Sequence, residues 1–390
     1  MRRLQIRPST AYTQHNTVKL IRCGEPYFTA LLTAIEKATL HIHLQVYIFD
    51  EDDTGNMVAD ALIKAAGRNV AVYLMADGYA SKDLTPAFIK RLTDTGIQFR
   101  FFEPLLKSEH FYFGRRMHHK VMVADAQCAL VGGINISDRY NDIHGIPSWL
   151  DWALYVEGEA AAELYKLCVS LWVKPGQPGK KEFFKTPLPV KHDAPHCPVR
   201  IRRNDWVKRR NQISRSYIRM LKRSRSHVII MSSYFIPGSM IRYNLSKAAK
   251  RGITISVIVT GNSDVKLAKN AERYMYRWLL KRNIRLFEYN RTVLHAKLAT
   301  CDSKFVTAGS YNVNDISAYA SIELNLDVDN AHFARSVQQQ LEEIIANDCT
   351  QVTEEFYRTR FTIYHRLIQY FSYITTRILF HLFTFYFKQQ

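Results

Sequence analysis

The stretch "RRMHHKVMVAD", residues 115 to 125, sets His118, His119 and Lys120 directly before a short apolar run that closes on Asp125. A second stretch, "TVLHAKLATCD" at 292 to 302, repeats the spacing His-x-Lys-x-x-x-x-Asp with His295, Lys297 and Asp302. An imidazole can attack as a nucleophile or carry a proton near neutral pH, and a lysine two residues on adds a positive charge beside it. Such a stretch reads as a metal site, a packed strand with stray polar residues, or half of a catalytic centre, and the second copy is what makes the first of interest. One histidine beside a lysine is a poor ligand set, so neither a metal nor another cofactor is expected.

Side chains alternate faces along a strand, so His118 and Lys120 point one way and His119 the other; His295 and Lys297 share a face in the same manner. His119 is therefore read as packed or exposed rather than reactive. Each apolar run reaches a hairpin turn at Asp125 or Asp302 and returns antiparallel through "CALVGGIN" or "FVTAGSYN". Counting out and back brings Asn135 beside His118 and Asn312 beside His295. Asp125 and Asp302 fall at the far turn, about 20 Å from the rings at about 3.3 Å per residue, where turn and hydrogen-bonding roles fit them. The carboxylates that orient the rings must come from elsewhere. Asp151 in "SWLDWALYVEG" and Glu323 in "ASIELNLDV" sit within apolar strands, where a lone carboxylate needs a partner. A histidine is one such partner and a distant arginine another.

The elements that position these residues repeat as well. "ALIKAAGRNVAVYLMADG" (61 to 78) resembles "NLSKAAKRGITISVIVTG" (244 to 261), and "LHIHLQVYIF" (40 to 49) matches "HVIIMSSYFI" (227 to 236). Each half thus reads strand, helix, strand, helix, then the motif hairpin, which indicates α/β layering in both. The expected division is 1–172 and 199–355, joined by a linker at 173–198 that carries six prolines, with a tail at 356–390.

The chain of 390 residues is 47% hydrophobic and carries 54 Lys and Arg against 35 Asp and Glu, a net charge of +19. Such a chain folds around ordinary cores and is drawn to polyanions. Six scattered cysteines without a C-x-x-C pair suit a reducing compartment, and the basic N-terminus lacks the apolar core of a signal peptide.

Both motifs resemble the phospholipase D superfamily, which is marked by two copies of H-x-K-x(4)-D, each followed by Gly-Gly or Gly-Ser and an asparagine. Here these are Gly132, Gly133 and Asn135, then Gly309, Ser310 and Asn312. The layout from about 18 to 355 is most similar to bacterial cardiolipin synthases of the short kind without N-terminal transmembrane helices. The resemblance implies two mixed β-sheets flanked by helices, packed around one shared active site. It implies His118, Lys120, Asp125, His295, Lys297 and Asp302 as the catalytic set, with Asn135 and Asn312 on the substrate phosphate and Asp151 and Glu323 orienting the histidines. It also implies a phosphohistidine intermediate, with His118 favoured as nucleophile, and transfer from one phosphatidylglycerol to another with release of glycerol. Phosphatidylethanolamine as donor, glycerol or water as acceptor, and nuclease activity are the alternatives. Gln45 stands where a glutamate is expected.

Two segments bear on partners. Residues 199 to 227 hold eleven Lys or Arg and one acid, which fits an anion-binding surface or a solvated helix face. The tail holds twelve aromatics, five Lys or Arg and no acid, a composition suited to an anionic phospholipid membrane, although a helix packed on the core also fits. Arg366, Arg377 and His381 interrupt any apolar run of ~20 residues. The expected setting is peripheral, on the cytoplasmic side of a bacterial inner membrane, with no nucleic-acid partner.

Overall fold

The structure, a computed structural model, describes residues 11–104, 115–173, 195–314, 317–318 and 321–385, with side chains to 379. Most of the expected linker lies outside the described residues; its last three, 196–198, already belong to a strand.

The first repeat runs β1 (Thr13–Arg22), α1 (Glu25–Lys37), β2 (His41–Val46), α2 (Asp53–Gly67), β3 (Ala71–Asp77), α3 (Pro86–Thr93), β4 (Gln98–Phe102), β5 (Arg116–Met117), β6 (Lys120–Ala124), β7 (Cys128–Gly132), β8 (Trp152–Gly158) and α4 (Glu159–Trp172). The second follows the same course. It comprises β9 (His196–Asp205), β10 (Arg210–Asn211), α5 (Gln212–Arg223), β11 (His227–Ser232), α6 (Ser239–Lys250), β12 (Thr254–Thr260), α7 (Lys266–Leu280), β13 (Arg285–Tyr289), β14 (Lys297–Cys301), β15 (Phe305–Gly309), β16 (Ser321–Asp329) and α8 (Ala331–Asp348). A further strand β17 (Cys349–Val352) and helices α9 (Glu354–Arg360) and α10 (Ile363–Phe385) end the chain.

Strand order in the first sheet is β4-β3-β2-β6-β7-β8-β1, parallel from β4 to β2 and antiparallel onward. The second sheet repeats it as β13-β12-β11-β14-β15-β16-β9, with β17 added beyond β13. The mixed pattern follows from the chain: βα crossovers give parallel neighbours, and the tight hairpin after each motif gives antiparallel ones. β1 and β9 pair at Thr13 and Val199, linking the sheets.

Alternation along each strand divides the core. On β6, Val121 and Val123 face a central core shared by both repeats, while Met122 and Ala124 face a core under α1, α2 and α3. On β14, Leu298 faces the central core and Ala299 and Cys301 the core under α5, α6 and α7. Residues of α4 and α8 also fill the central core, so the repeats bury one continuous apolar interior between the sheets. Truncating one such side chain, Leu298→Ala for example, costs about 2–5 kcal/mol.

The basic stretch divides too. On α5, Ile213, Tyr217, Met220 and Leu221 are buried at helical spacing, while Arg215, Arg219, Lys222 and Arg223 are exposed. No helix among the described residues is long and apolar enough to cross a membrane.

Candidate active site

Each motif histidine sits just before a strand that runs out to a turn. At those turns Asp125 and Ala126, and Asp302 and Ser303, take positive φ values of 52° and 55°, and 52° and 50°. Asp125 accepts hydrogen bonds from the backbone N–H groups of Thr39, Leu40 and His41 at 2.8 to 2.9 Å. Asp302 does the same for Arg225, Ser226 and His227 at 2.8 to 3.0 Å. Burial alone would raise both carboxyls, but these donors hold them low, Asp302 at about 2. The motif aspartates thus pin the hairpin to the start of β2 or β11, at the far end of the strand from the histidines.

The histidines are oriented across the repeats. β5 pairs in parallel with the start of β16, Ile322 opposite Met117, so the next residues, Glu323 and His118, stand side by side. His118 Nδ1 lies 3.0 and 3.1 Å from the two Glu323 carboxylate oxygens. The mirror arrangement is built by a parallel bridge between Leu150 and Leu294, in which Leu150 N–H donates to Val293 O and His295 N–H to Leu150 O, both at 2.8 Å. It brings Asp151 Oδ2 to 2.6 Å from His295 Nδ1. An ionised carboxylate only accepts, so Nδ1 carries a proton in both rings, and Nε2 presents a lone pair when the ring is neutral, as a nucleophile needs, or a second proton when it is charged, as an acid needs. Each carboxylate therefore comes from the repeat that does not hold its histidine, and among the described residues neither pairs with an arginine.

The residues after each hairpin make room for this. A Cβ on Gly133 would lie 2.3 Å from Asp151 Oδ2, so only glycine fits there. Ser310, its counterpart, donates its hydroxyl to Glu323 Oε2. Glu323 and Asp151 are fully buried. Burial would raise Glu323, but His118 and the donors around it hold it below the usual carboxylate range. Asp151 is pushed up to about 6 by burial, with Lys297 opposing.

Lys120 and Lys297 are buried beside the rings. Lys120 Nζ donates to His118 O at 2.7 Å and lies 5.0 Å from the Tyr47 ring centroid. Lys297 Nζ lies 2.8 Å from His295 Nδ1 and 3.8 Å from Asp151 Oδ2, and it donates to His295 O. Burial and the Lys297 charge pull Lys120 down to about 7, and burial pulls Lys297 down to about 8 against the attraction of Asp151. Burial likewise holds both histidines below 6.5, more strongly at His295, where Lys297 and Lys120 add repulsion.

The asparagines engage neighbours of the rings. Asn135 Oδ1 accepts from Ile48 N–H at 3.1 Å, and its Nδ2 donates to Tyr140 Oη at 2.9 Å; that hydroxyl lies 3.5 Å from His295 Nε2. Through that hydroxyl the Asn135 side chain is linked to the histidine of the other repeat. Asn312 Oδ1 accepts from Ser233 Oγ at 2.7 Å. Tyr47 packs edge-on against His118 at 4.8 Å, and Tyr140 does so against His295 at 5.2 Å. No local spacing marks these two tyrosines, because sheet pairing brings them in from other segments. His119 is fully buried, not exposed, and shares a hydrogen bond of 3.0 Å with Gln45 Oε1. Gln45 Nε2 in turn donates to Cys168 O on α4 at 2.9 Å, which gives the unusual glutamine a structural task.

Two α/β repeats with one His-Lys pair each, crossed over a common centre, define the phospholipase D-like class. The family described as "Cardiolipin synthase, PLD-like domain" matches residues 31–145 and 217–345. Cardiolipin synthase B of Escherichia coli K12 is 33% identical over 351 residues, covering 88% of this chain and 84% of that protein. Its Salmonella typhimurium counterpart is 34% identical over 349 residues, with coverage of 88% and 84%. Among solved structures, phosphatidylserine synthase of Haemophilus influenzae has the same fold, with a TM-score of 0.73 at 12% identity over 97% of each chain. The chain belongs to the cardiolipin synthase family of phospholipase D-like proteins.

Proposed function

We propose that the protein transfers a phosphatidyl group from one phosphatidylglycerol to a second, forming cardiolipin and glycerol. The observation that carries this reading is the crossed pairing of His118 with Glu323 and of His295 with Asp151, in which each ring holds Nδ1 against a carboxylate of the other repeat and leaves Nε2 for the phosphodiester. His118 Nε2 attacks phosphorus; the bond to the glycerol oxygen breaks, and His295 gives that oxygen its Nε2 proton. The hydroxyl of the second phosphatidylglycerol then gives its proton to His295 Nε2, its oxygen attacks phosphorus, and the phosphorus–nitrogen bond breaks. Lys120 and Lys297, with Asn135 and Asn312, steady the non-bridging oxygens. Relatives named cardiolipin synthase support lipid as the acceptor.

The site works at an anionic membrane in this reading, on the cytoplasmic face of a bacterial inner membrane. Helix α10 supports it through inverted polarity. Gln369, Ser372, Tyr373 and Thr376 are buried, whereas Ile363, Tyr364, Leu367, Phe371 and Ile378 are exposed. Tyr373 stacks on Tyr274 of α7 at 4.6 Å, and Ile236, Ala271 and Met275 pack around it. A helix that turns its polar side inward and its aromatic side outward is matched by a bilayer surface, with Arg366 and Arg377 among acidic headgroups.

Purified protein given phosphatidylglycerol vesicles tests the proposal. Cardiolipin and free glycerol in equal amounts are expected; phosphatidic acid as the main product would show a hydrolase and defeat the assignment.

A further inference from the structure

The two repeats position their histidines with matching devices, and the match exposes one difference between them. At the end of β3, Asp77 Oδ2 accepts from Met117 N–H at 2.8 Å; at the end of β12, Thr260 Oγ1 accepts from Leu294 N–H at 3.3 Å. Met117 and Leu294 each precede a motif histidine, so Asp77 and Thr260 are equivalent, and the loops that follow them both start beside a reacting ring. Four residues on, the first loop carries Ser81 and the second Asp264. Ser81 is buried, donates to Tyr47 O at 3.1 Å and accepts from Phe49 N–H at 2.9 Å, which closes its loop onto the chain after β2. Asp264 is exposed.

This carboxylate is held in place. Its Oδ1 accepts from Tyr234 Oη at 2.7 Å and from Ser263 Oγ at 3.5 Å, so among the described residues Oδ2 keeps its lone pairs for a ligand. Tyr234 is in turn placed by the site. The preceding residue, Ser233, donates its N–H to the carbonyl of Ala296, between His295 and Lys297, at 3.2 Å, and its hydroxyl to Asn312 at 2.7 Å. The electrostatics agree with this placement. Burial lowers His295 and Lys297 and raises Tyr140, and the Asp264 charge acts on all three, favouring the charged form of the two cations. Tyr140 carries the hydroxyl 3.5 Å from His295 Nε2, so Asp264 and Tyr234 flank the His295 half of the site.

A carboxylate repels the oxygens of a phosphodiester and attracts an O–H or N–H donor. In the proposed reaction the alcohol part of the headgroup lies on the His295 side, because His295 protonates the leaving oxygen and takes the proton of the attacking one. Glycerol leaves through a terminal oxygen, and the second phosphatidylglycerol attacks through a terminal oxygen. In both, the next carbon bears the central hydroxyl of glycerol, so one hydroxyl is offered to one place in both steps.

We propose that Asp264, held by Tyr234, is a specificity-determining residue that accepts a hydrogen bond from the central hydroxyl of the glycerol headgroup, whether that glycerol is leaving or attacking. This deepens the proposed function and rests on it. An ethanolamine headgroup carries its ammonium on the carbon where glycerol has that hydroxyl, so it meets the same carboxylate. An alcohol without a donor on that carbon does not.

The test gives the full-length protein phosphatidylglycerol vesicles with one of three alcohols: labelled glycerol, labelled ethanolamine, or 1,3-propanediol, which has the terminal hydroxyls of glycerol without the central one. Each transfer is read as the new phosphatidyl lipid. The wild type should favour glycerol over 1,3-propanediol about tenfold or more, the advantage of one hydrogen bond to a charged group. In Asp264→Ala that preference should fall about tenfold, and in Tyr234→Phe, which loosens the carboxylate, it should fall in part. Asp264→Asn keeps an acceptor oxygen without the charge, so it should retain part of the preference for glycerol and lose that for ethanolamine. Melting curves identify any variant that does not fold, in which case the others decide. A parallel fall of all three transfers in folded variants would mean a carboxylate that acts only through the charge on His295 and overturn the proposal. A glycerol to propanediol ratio that stays at the wild-type value would overturn it as well. A wild type that makes cardiolipin without preferring glycerol to 1,3-propanediol would overturn this proposal and leave the function standing, whereas one that yields phosphatidic acid alone would remove the function on which it rests.

Discussion

His118 and His295 both hold Nδ1 against a carboxylate, so what distinguishes them is what meets Nε2. At His295 the Tyr140 hydroxyl stands 3.5 Å away, itself bonded to Asn135. It can accept from a protonated ring or donate to a neutral one, which suits a residue that carries a proton in both steps. This favours His118 as the nucleophile. His118→Ala and His295→Ala should each lower turnover by about 10³-fold or more with the melting temperature little changed, and substantial activity in either would refute a shared centre. Glu323→Gln should cost about 10²- to 10⁴-fold in kcat by releasing the ring tautomer. The lysines set the alkaline limit. With Lys120 near 7 and Lys297 near 8, raising the pH through that window removes positive charge from the free enzyme, so kcat/KM should fall there. Bound phosphodiester favours the protonated lysines, so the fall in kcat should lie at higher pH; a kcat/KM profile flat to pH 10 would contradict this. In the proposed mechanism the lysines and asparagines stabilise the charge on the phosphate, so activity should also persist in chelator, and loss restored by Mg²⁺ or Zn²⁺ would count against it.

At the scale of elements, the motif strands and their hairpins were legible because their signals are local: spacing of two for faces and a turn at each aspartate. Asp151 and Glu323 stood out as carboxylates in apolar strands, but which histidine each meets was not legible. That depends on the β5–β16 pairing and the Leu150–Leu294 bridge, contacts between segments about 150 to 200 residues apart that no periodicity encodes. His119 shows the same limit: alternation gave its face, and only the packing of α4 on the sheet reveals Gln45 and Cys168 beside it. The tail composition announced an interface, yet only the packed helix shows that polar residues turn inward. Leu367→Glu combined with Phe371→Glu should therefore release the protein from anionic vesicles while leaving the buried face of α10 in place. Undiminished cosedimentation would refute a membrane role for that face. Among buried groups on β2, His43 is depressed to about 3 by burial. Its unfolded form takes up a proton below about 6.5, so stability should decline by roughly 1.4 kcal/mol per pH unit from there toward 3 on its account, and His43→Phe should flatten the acid limb of the melting profile.

At the scale of the molecule, the fold joins two incomplete half-sites. Each repeat supplies a histidine and a lysine but borrows the carboxylate that orients its own ring, so neither repeat alone holds an oriented nucleophile. The shared central core makes this exchange rigid, because Glu323 lies within β16, which is buried on both faces, and Asp151 immediately precedes β8 and is itself fully buried. The most direct measurement is rapid quenching of the full-length protein with phosphatidylglycerol labelled at phosphorus, followed by mapping of acid-labile label on the chain. The crossed site predicts label on His118, lost in His118→Ala and strongly reduced in Glu323→Gln although that glutamate lies in the other repeat. Label on His295 would reverse the assigned roles, and label on His118 that persists undiminished in Glu323→Gln would contradict the crossed site itself.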